Sequence, residues 1–298
     1  MSKYLLFFAT LFLFIQCKKE NSTPNPTASG PKLIFKFVLD STQTRLNNIG
    51  QAAPMPSNHA GLSPLFNAIA AHYIELAPTA FTQLGKGDVV YKGLETTKGG
   101  GNALVFDSLK AVKSGETFFS IPLSSVQKGT YEWLRVSLAY QNFDVKLKYT
   151  FNSQPLYFNA TVAGFIGFNS YINSFKVKTE AVSVNANKKQ GFWAYELPAQ
   201  PPYITTAQTK SGQSAGTTVV NPISTSSPVP AGSCVVTGAF DQKLTITGNE
   251  TQDVIVTVSL STNKSFEWEE VTKDGWYEPA IGEKVVDMGI RGMKVGVK

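Results

Sequence analysis

From residue 32 onward the chain repeatedly places apolar side chains at every second position, and that period of two restricts it to strands. In Lys32–Leu39, the residues Leu33, Phe35, Phe37 and Leu39 fall on one face with Lys36 opposite. Successive side chains of a strand point to opposite faces, so such a run buries one face and wets the other. Glu132–Tyr140 aligns Leu134, Val136, Leu138 and Tyr140, and Val145–Phe151 aligns Val145, Leu147, Tyr149 and Phe151, with Lys146, Lys148 and Thr150 outward. The four residues Gln141–Asp144 between them predict a hairpin.

Further strands are expected at Asp88–Tyr91, Ala103–Phe106, Thr117–Leu123, Leu156–Phe168, Tyr171–Val184 and Phe192–Leu197, then at Cys234–Phe240, Lys243–Thr247 and Val254–Leu260. Phe66–Leu76 also alternates and reads as a strand, although Ser63-Pro64 before it could open a helix. Thr42–Ser63 carries Gly50, Pro54, Pro56 and Gly61 and reads as a long loop with room for one helical turn. Residues 198–232 turn abruptly to Pro, Ser, Thr, Gly and Gln without apolar spacing, which predicts a surface loop. Aromatics make up 12% of the chain and charged residues only 16%, a balance that suits strands joined by polar turns. The expected fold is all-β, a mostly antiparallel β-sandwich over residues 32–298, interrupted by the 198–232 loop. Within it, Lys128-Gly129-Thr130-Tyr131 before an alternating strand resembles the Gly-x-Tyr start found in secreted immunoglobulin-like and transthyretin-like β-sandwiches, which implies an architecture and no activity.

The N-terminal stretch does not share this pattern. Lys3 precedes an apolar run, Tyr4–Ile15, broken only by Thr10. Twelve residues are too few for a spanning helix, which needs roughly 20, and suit the h-region of a secretory signal. The run ends at Gln16-Cys17-Lys18-Lys19. These residues resemble the lipoboxes of bacterial lipoproteins, in particular the Cys-Lys-Lys starts of Bacteroidota lipoproteins, with Gln16 standing where Gly, Ala or Ser is usual. The resemblance implies removal of residues 1–16, acylation of Cys17, a flexible lipidated tether over 17–31, and attachment to the outer membrane, facing the periplasm or the surface. Several acyl chains, at about 0.8 kcal/mol per buried methylene, would hold such a chain effectively permanently.

Composition excludes other classes. The formal charge of +6 is spread along the chain, and the lysines alternate within strands as on a solvated face, so no nucleic-acid stripe forms. With Cys17 committed to lipid, Cys234 has no disulfide partner and reads as a small buried hydrophobe at a strand start. Gly212-Gln213-Ser214-Ala215-Gly216 matches the G-x-S-x-G elbow, but no histidine follows Ser214 to complete a triad. His59 and His72 are the only histidines. The order of strands around the Gly-Thr-Tyr turn resembles that of periplasmic copper-binding β proteins associated with methanobactin, which would imply a metal carrier joining His59, His72 and a methionine. Glu132, Glu196 and Glu267 could supply a carbohydrate-active enzyme with its two facing carboxylates, and the tryptophans Trp133, Trp193, Trp268 and Trp276 could stack on a glycan.

The densest chemistry lies in Phe266–Gly292, where seven carboxylates occur between Glu267 and Asp287. Glu270, Thr272, Asp274, Gly275, Trp276 (through its carbonyl) and Glu278 resemble successive positions of an EF-hand calcium loop, in which alternate oxygens converge on a hard cation while Gly permits the turn. Ile281 stands where the bidentate carboxylate belongs. The match implies a structural Ca²⁺ at Glu270–Glu278; a turn between two strands with Lys273-Asp274-Gly275 at its tip accounts for Gly275 equally well. The sequence as a whole predicts a lipid-anchored, non-catalytic binding or structural module, held to a membrane through its N-terminus, with a glycan or protein as partner. Labelled palmitate is expected to enter the wild-type chain and not Cys17→Ala; incorporation into both, or into neither, contradicts the anchor.

Overall fold

The computed structural model describes residues 30–47, 50–214 and 234–298. They form an all-β, sandwich-like fold with eighteen strands and three short 3-10 turns. In chain order the first nine strands are β1 (Lys32–Asp40), β2 (His59–Leu62), β3 (Leu65–Ala77), β4 (Asp88–Lys92), β5 (Glu95–Thr96), β6 (Ala103–Val105), β7 (Thr117–Pro122), β8 (Gly129–Phe151) and β9 (Gln154–Phe165). The rest are β10 (Ser170–Lys176), β11 (Ala181–Lys188), β12 (Phe192–Leu197), β13 (Gln208–Gln213), β14 (Cys234–Ile246), β15 (Val254–Ser261), β16 (Phe266–Glu269), β17 (Lys284–Asp287) and β18 (Met293–Val297).

One large sheet runs β13-β12-β9-β8-β14-β18-β15-β1-β7, with β3 and β4 added on β8. Most neighbours are antiparallel, but β1 lies parallel to β15, and β14 meets β18 in parallel through Phe240 and Val295. The sheet curls until its ends touch: Tyr91 of β4 packs its ring 5.0 Å from Phe118 and 4.9 Å from Phe119 of β7. The alternating residues fill the space enclosed. Leu33, Phe35 and Phe37 meet Ile74, Leu76, Leu134, Val136, Val256 and Val258 in the main core, all fully buried.

The expected hairpin at Gln141–Asp144 does not form. Gly129–Phe151 is one strand of 23 residues, because Gln141–Asp144 holds neither Gly nor Pro and its polar side chains find partners inside the fold. Gln141 donates to the Met288 carbonyl, Asn142 to the Val177 carbonyl at 2.8 Å, and the Thr161 hydroxyl to Asp144. The chain reverses instead at Asn152-Ser153, whose φ angles of 47° and 62° are the left-handed pair a two-residue type I′ turn requires. Lys243–Thr247 is likewise no separate strand but the end of β14. Two loops also hold strands. Among the described residues of Thr42–Ser63 the structure forms β2 and no helical turn, and within the polar 198–232 segment Gln208–Gln213 becomes β13. A sheet-edge strand needs only backbone bonds to one neighbour, here β12, so its side chains carry no apolar signal.

The half of the large sheet built from β8, β9 and β12 has two covered faces. On one, Tyr140, Ala163, Phe165, Phe192 and Ala194 pack under the four-stranded sheet β11-β10-β6-β5 through Ile172 and Phe175. On the other, Phe143, Val145, Ala160 and Val162 face the three-stranded sheet β17-β16-β2 through Phe266 and Trp268. Glu196 fastens the first cover. This fully buried carboxylate accepts the backbone N–H groups of Lys178, Thr179 and Glu180 at 2.8–3.0 Å and the Thr179 hydroxyl at 2.7 Å, which holds the β10–β11 turn against β12. Burial pushes its carboxyl up, but those hydrogen bonds outweigh it and the pKa is lowered. Glu196→Ala leaves three amides without an acceptor and should cost roughly 1–3 kcal/mol or more; an unchanged urea midpoint would contradict this role.

Candidate functional site

The second cover is incomplete. Where β16 and β17 stop short of the β8–β9 hairpin, a hollow of about 1110 Å³ opens, walled by Val145, Leu147, Tyr149, Leu156, Phe158, Ala160 and Val162 of the hairpin, by Trp193, Tyr195 and Leu197 of β12, and by Phe266, Tyr277, Val285 and Met288 opposite. Alternation places these residues together. Tyr195 pairs with Val162 and Trp193 with Gly164 across β9–β12, so the odd-numbered residues of β12 share the face of Val162 and Ala160. Trp193 and Tyr195 lie side by side, ring planes 10° apart. Among the described residues, no Asp, Glu, Lys, Arg or His lines the hollow. An enclosed void of this size would cost about 27 kcal/mol at ~24 cal/mol per Å³, beyond the ~5–15 kcal/mol stability of a whole domain. The hollow instead has a mouth, where Tyr149, Phe151 and Tyr203 remain 43%, 52% and 59% exposed.

Behind β16 the sheet turns a different face to a buried charge cluster. Glu267 accepts Arg45 Nη2 at 2.5 Å and Arg291 Nη2 at 3.2 Å on Oε2, while its Oε1 meets His59 Nδ1 at 2.6 Å. Arg291 Nη1 donates to Asp287 Oδ2 at 2.7 Å, and Arg45 Nη1 to the Lys264 carbonyl at 2.6 Å. Burial pushes the Glu267 carboxyl up, but the His59 and Arg45 hydrogen bonds and the two guanidinium charges prevail and lower it. Cys234 begins β14 beside this cluster. Burial, with the Asp287 charge, pushes its thiol up to about 12, so it is protonated and no nucleophile at neutral pH.

The candidate residues of the sequence are spread over the molecule. His59 joins Glu267 on the small sheet, whereas His72 on β3 pairs with Glu95 at 2.8 Å and stacks on Phe168. The three candidate carboxylates are separately engaged: Glu132 pairs with Lys243 at 2.6 Å, Glu196 holds a turn, and Glu267 joins the arginines. In the acidic loop, Lys148 bridges Asp274 and Glu278, Glu270 accepts the Gly275 amide at 2.6 Å, and Asp274 caps the Trp276 amide at 2.9 Å. Thr272 donates its amide to Glu283, which also takes the amides of Val271 and Glu278. An ammonium thus lies between two of the oxygens expected to converge on calcium, and the segment is a loop joining β16 to β17. Among the described residues no group of three or more His, Cys, Asp or Glu side chains is placed to hold a metal ion. Trp268 is core, Trp193 lines the hollow, and Trp276 packs 4.7 Å from Tyr157 at the surface. Cys17, its leader and Ala215-Gly216 of the G-x-S-x-G match lie outside the described residues.

No protein-family model, curated protein or solved structure matches the chain. Its geometry therefore carries the functional reading. The hollow escaped sequence reasoning because its wall residues obey the same alternation as core residues; the one available signal was the density of Tyr and Phe from Tyr149 to Phe158.

The ionisable groups set an acid limit. Glu95 is drawn down to about 2: burial raises it, but the bonds from Asn102, His72 and Lys92 overcome this. Glu95, Glu196 and Glu267 all titrate lower folded than unfolded, so the unfolded chain takes the proton first, near 4.5, and stability is lost as pH falls through the folded values. Burial keeps His72 neutral against the pull of Glu95, lowering it from 6.5, and adds a loss of the same sign beginning there. Melting temperature should hold near neutrality, decline below pH ~6.5 and drop most steeply below ~4.5. Glu267→Gln should lower stability at pH 7 by roughly 1–3 kcal/mol, since it removes the carboxylate that Arg45, Arg291 and His59 share while Arg291 keeps Asp287, and should flatten the acid limb; a wild-type melting temperature that rises on acidification contradicts the assignment.

Proposed function

We propose that this chain is a lipid-anchored envelope lipoprotein, tethered through Cys17 to the outer membrane, whose β-sandwich is a non-catalytic module binding an apolar small molecule between its sheets. The observation carrying the binding half is the open hollow of about 1110 Å³ with an aromatic and aliphatic wall and no charged side chain among the described residues that line it. Ligand pockets are typically clefts of ~300–1,000 Å³ lined mainly by such side chains, and a groove this apolar on a monomer's surface marks an interaction site. The candidate catalytic groups instead hold structure: each candidate carboxylate is committed to a salt bridge or a turn, and the Cys234 thiol is pushed up to about 12. The anchoring half is supported by the twelve-residue apolar leader and the cysteine that follows it. No helix of the described residues is long and apolar enough to cross a membrane.

The energetics suit a long or polycyclic ligand. About fifteen buried methylenes at ~0.8 kcal/mol each supply roughly 12 kcal/mol; an association cost of ~4 kcal/mol leaves about 8, a micromolar Kd. A neutral polarity-sensitive dye, N-phenyl-1-naphthylamine, should brighten on the purified chain with micromolar affinity. Ala160→Phe, which projects a ring from β9 into the hollow, should weaken that binding at least tenfold without lowering the melting temperature. No brightening, or equal affinity in the variant, removes the cavity as the binding site.

A further inference from the structure

The large hollow holds an ordered pair of rings and two free hydroxyls. Trp193 and Tyr195 stand two residues apart on β12, half-buried, with ring centroids 6.0 Å apart and planes 10° from parallel. Gly212, opposite Trp193 on β13, makes room for this, because a β-carbon there would lie 2.5 Å from the indole. Trp193 also borders a smaller hollow of about 120 Å³ beside the large one, so open space meets it in two places. On the opposite wall Tyr277 packs edge-on against Phe266, ring centroids 5.2 Å apart. The Tyr195 and Tyr277 hydroxyls have no hydrogen-bond partner among the described residues, and neither is enclosed. Burial raises the Tyr277 pKa above the ordinary value, with Glu283 and Tyr195 adding to it, so this hydroxyl keeps its proton and can donate at neutral pH.

We infer that the ligand is a neutral, flat, unsaturated ring system carrying an oxygen, which continues the parallel stack of Trp193 and Tyr195 and exchanges a hydrogen bond with the Tyr195 or Tyr277 hydroxyl. The inference rests on the apolar-ligand reading above and deepens it by naming the ligand's class. Aromatic rings prefer offset-parallel or edge-on contacts, and such contacts add to what buried area alone supplies. The two walls present both kinds. A flexible alkyl chain would lose its rotamer freedom on entry, which a rigid ring does not, and would leave both hydroxyls dry. A sugar could stack on the same faces, but its many hydroxyls would outnumber the polar groups at hand. Beyond the tyrosines and the Trp193 indole N–H, only Gln208 and Ser214 bring polar side chains to the wall among the described residues. A charged head would enter without a counter-ion, since no ionised side chain among the described residues lines the hollow.

Isothermal titration calorimetry of the full chain at pH 7 with 2-naphthol, naphthalene and decahydro-2-naphthol tests this, the second compound lacking the oxygen and the third the flat ring. 2-Naphthol should bind at least ~fivefold tighter than either, the gain expected of one aromatic contact or one hydrogen bond. Tyr195→Phe combined with Tyr277→Phe keeps both rings and should bring 2-naphthol down to the affinity of naphthalene, with naphthalene itself unchanged. Trp193→Leu should bring 2-naphthol down towards decahydro-2-naphthol, with a melting curve taken alongside; should it not fold, the wild-type series and the tyrosine variant decide. Equal binding of 2-naphthol and decahydro-2-naphthol overturns the flat ring. Equal binding of 2-naphthol and naphthalene, or an advantage of 2-naphthol that survives loss of both hydroxyls, overturns the oxygen contact. Binding of N-phenyl-1-naphthylamine with none of the three overturns this inference and leaves the apolar-ligand reading standing. Failure of all four to bind overturns both readings.

Discussion

The backbone pairing of β8 is the constraint on which the rest of the structure depends. Its first half is held by β3 and β14 inside the main core, Tyr140–Asp144 lies between β3 and β9, and only Val145–Phe151 is held by β9 alone, ending with Phe151 opposite Gln154. A single strand of this length transmits rigidity from a well-packed region to one that is not packed. The wall formed by Val145, Leu147 and Tyr149 can stand open because Leu134, Val136 and Leu138 of the same strand are fully buried elsewhere. Without that continuity the apolar hairpin would collapse onto the small sheet, since nothing in its side chains opposes closing the gap.

The opposite wall is held by other means. The three-stranded sheet is short, and what locates it is the ion cluster on its far side, where Glu267 gathers Arg45, His59 and Arg291. Buried ion pairs add little net stability compared with apolar packing, but they are geometrically demanding, and removing one partner is costly. Such a cluster fixes the distance between the small sheet and the body without filling the space between them.

Much of the fold was legible from residue order. Strict alternation marked β1 and both halves of β8, since burying one face leaves its imprint every second residue. What failed to show was whatever does not depend on side-chain burial. Strand β13 is an edge strand with polar side chains throughout, and Gln141–Asp144 reads as a turn until Met288, Val177 and Thr161 are seen to satisfy it. In the acidic segment, spacing suggested oxygens converging on a cation; Lys148, distant in sequence, contributes the charge that lies between Asp274 and Glu278.

By itself the sequence determined that this protein is all-β and which face of each long strand is apolar, because that information is local and repeats every two residues. Only the tertiary structure decided that one apolar face would be covered and another left as the wall of a cavity. A side chain bordering empty space has the same polarity and the same position in the alternation as one packed in a core, so the difference lies wholly in what stands across from it.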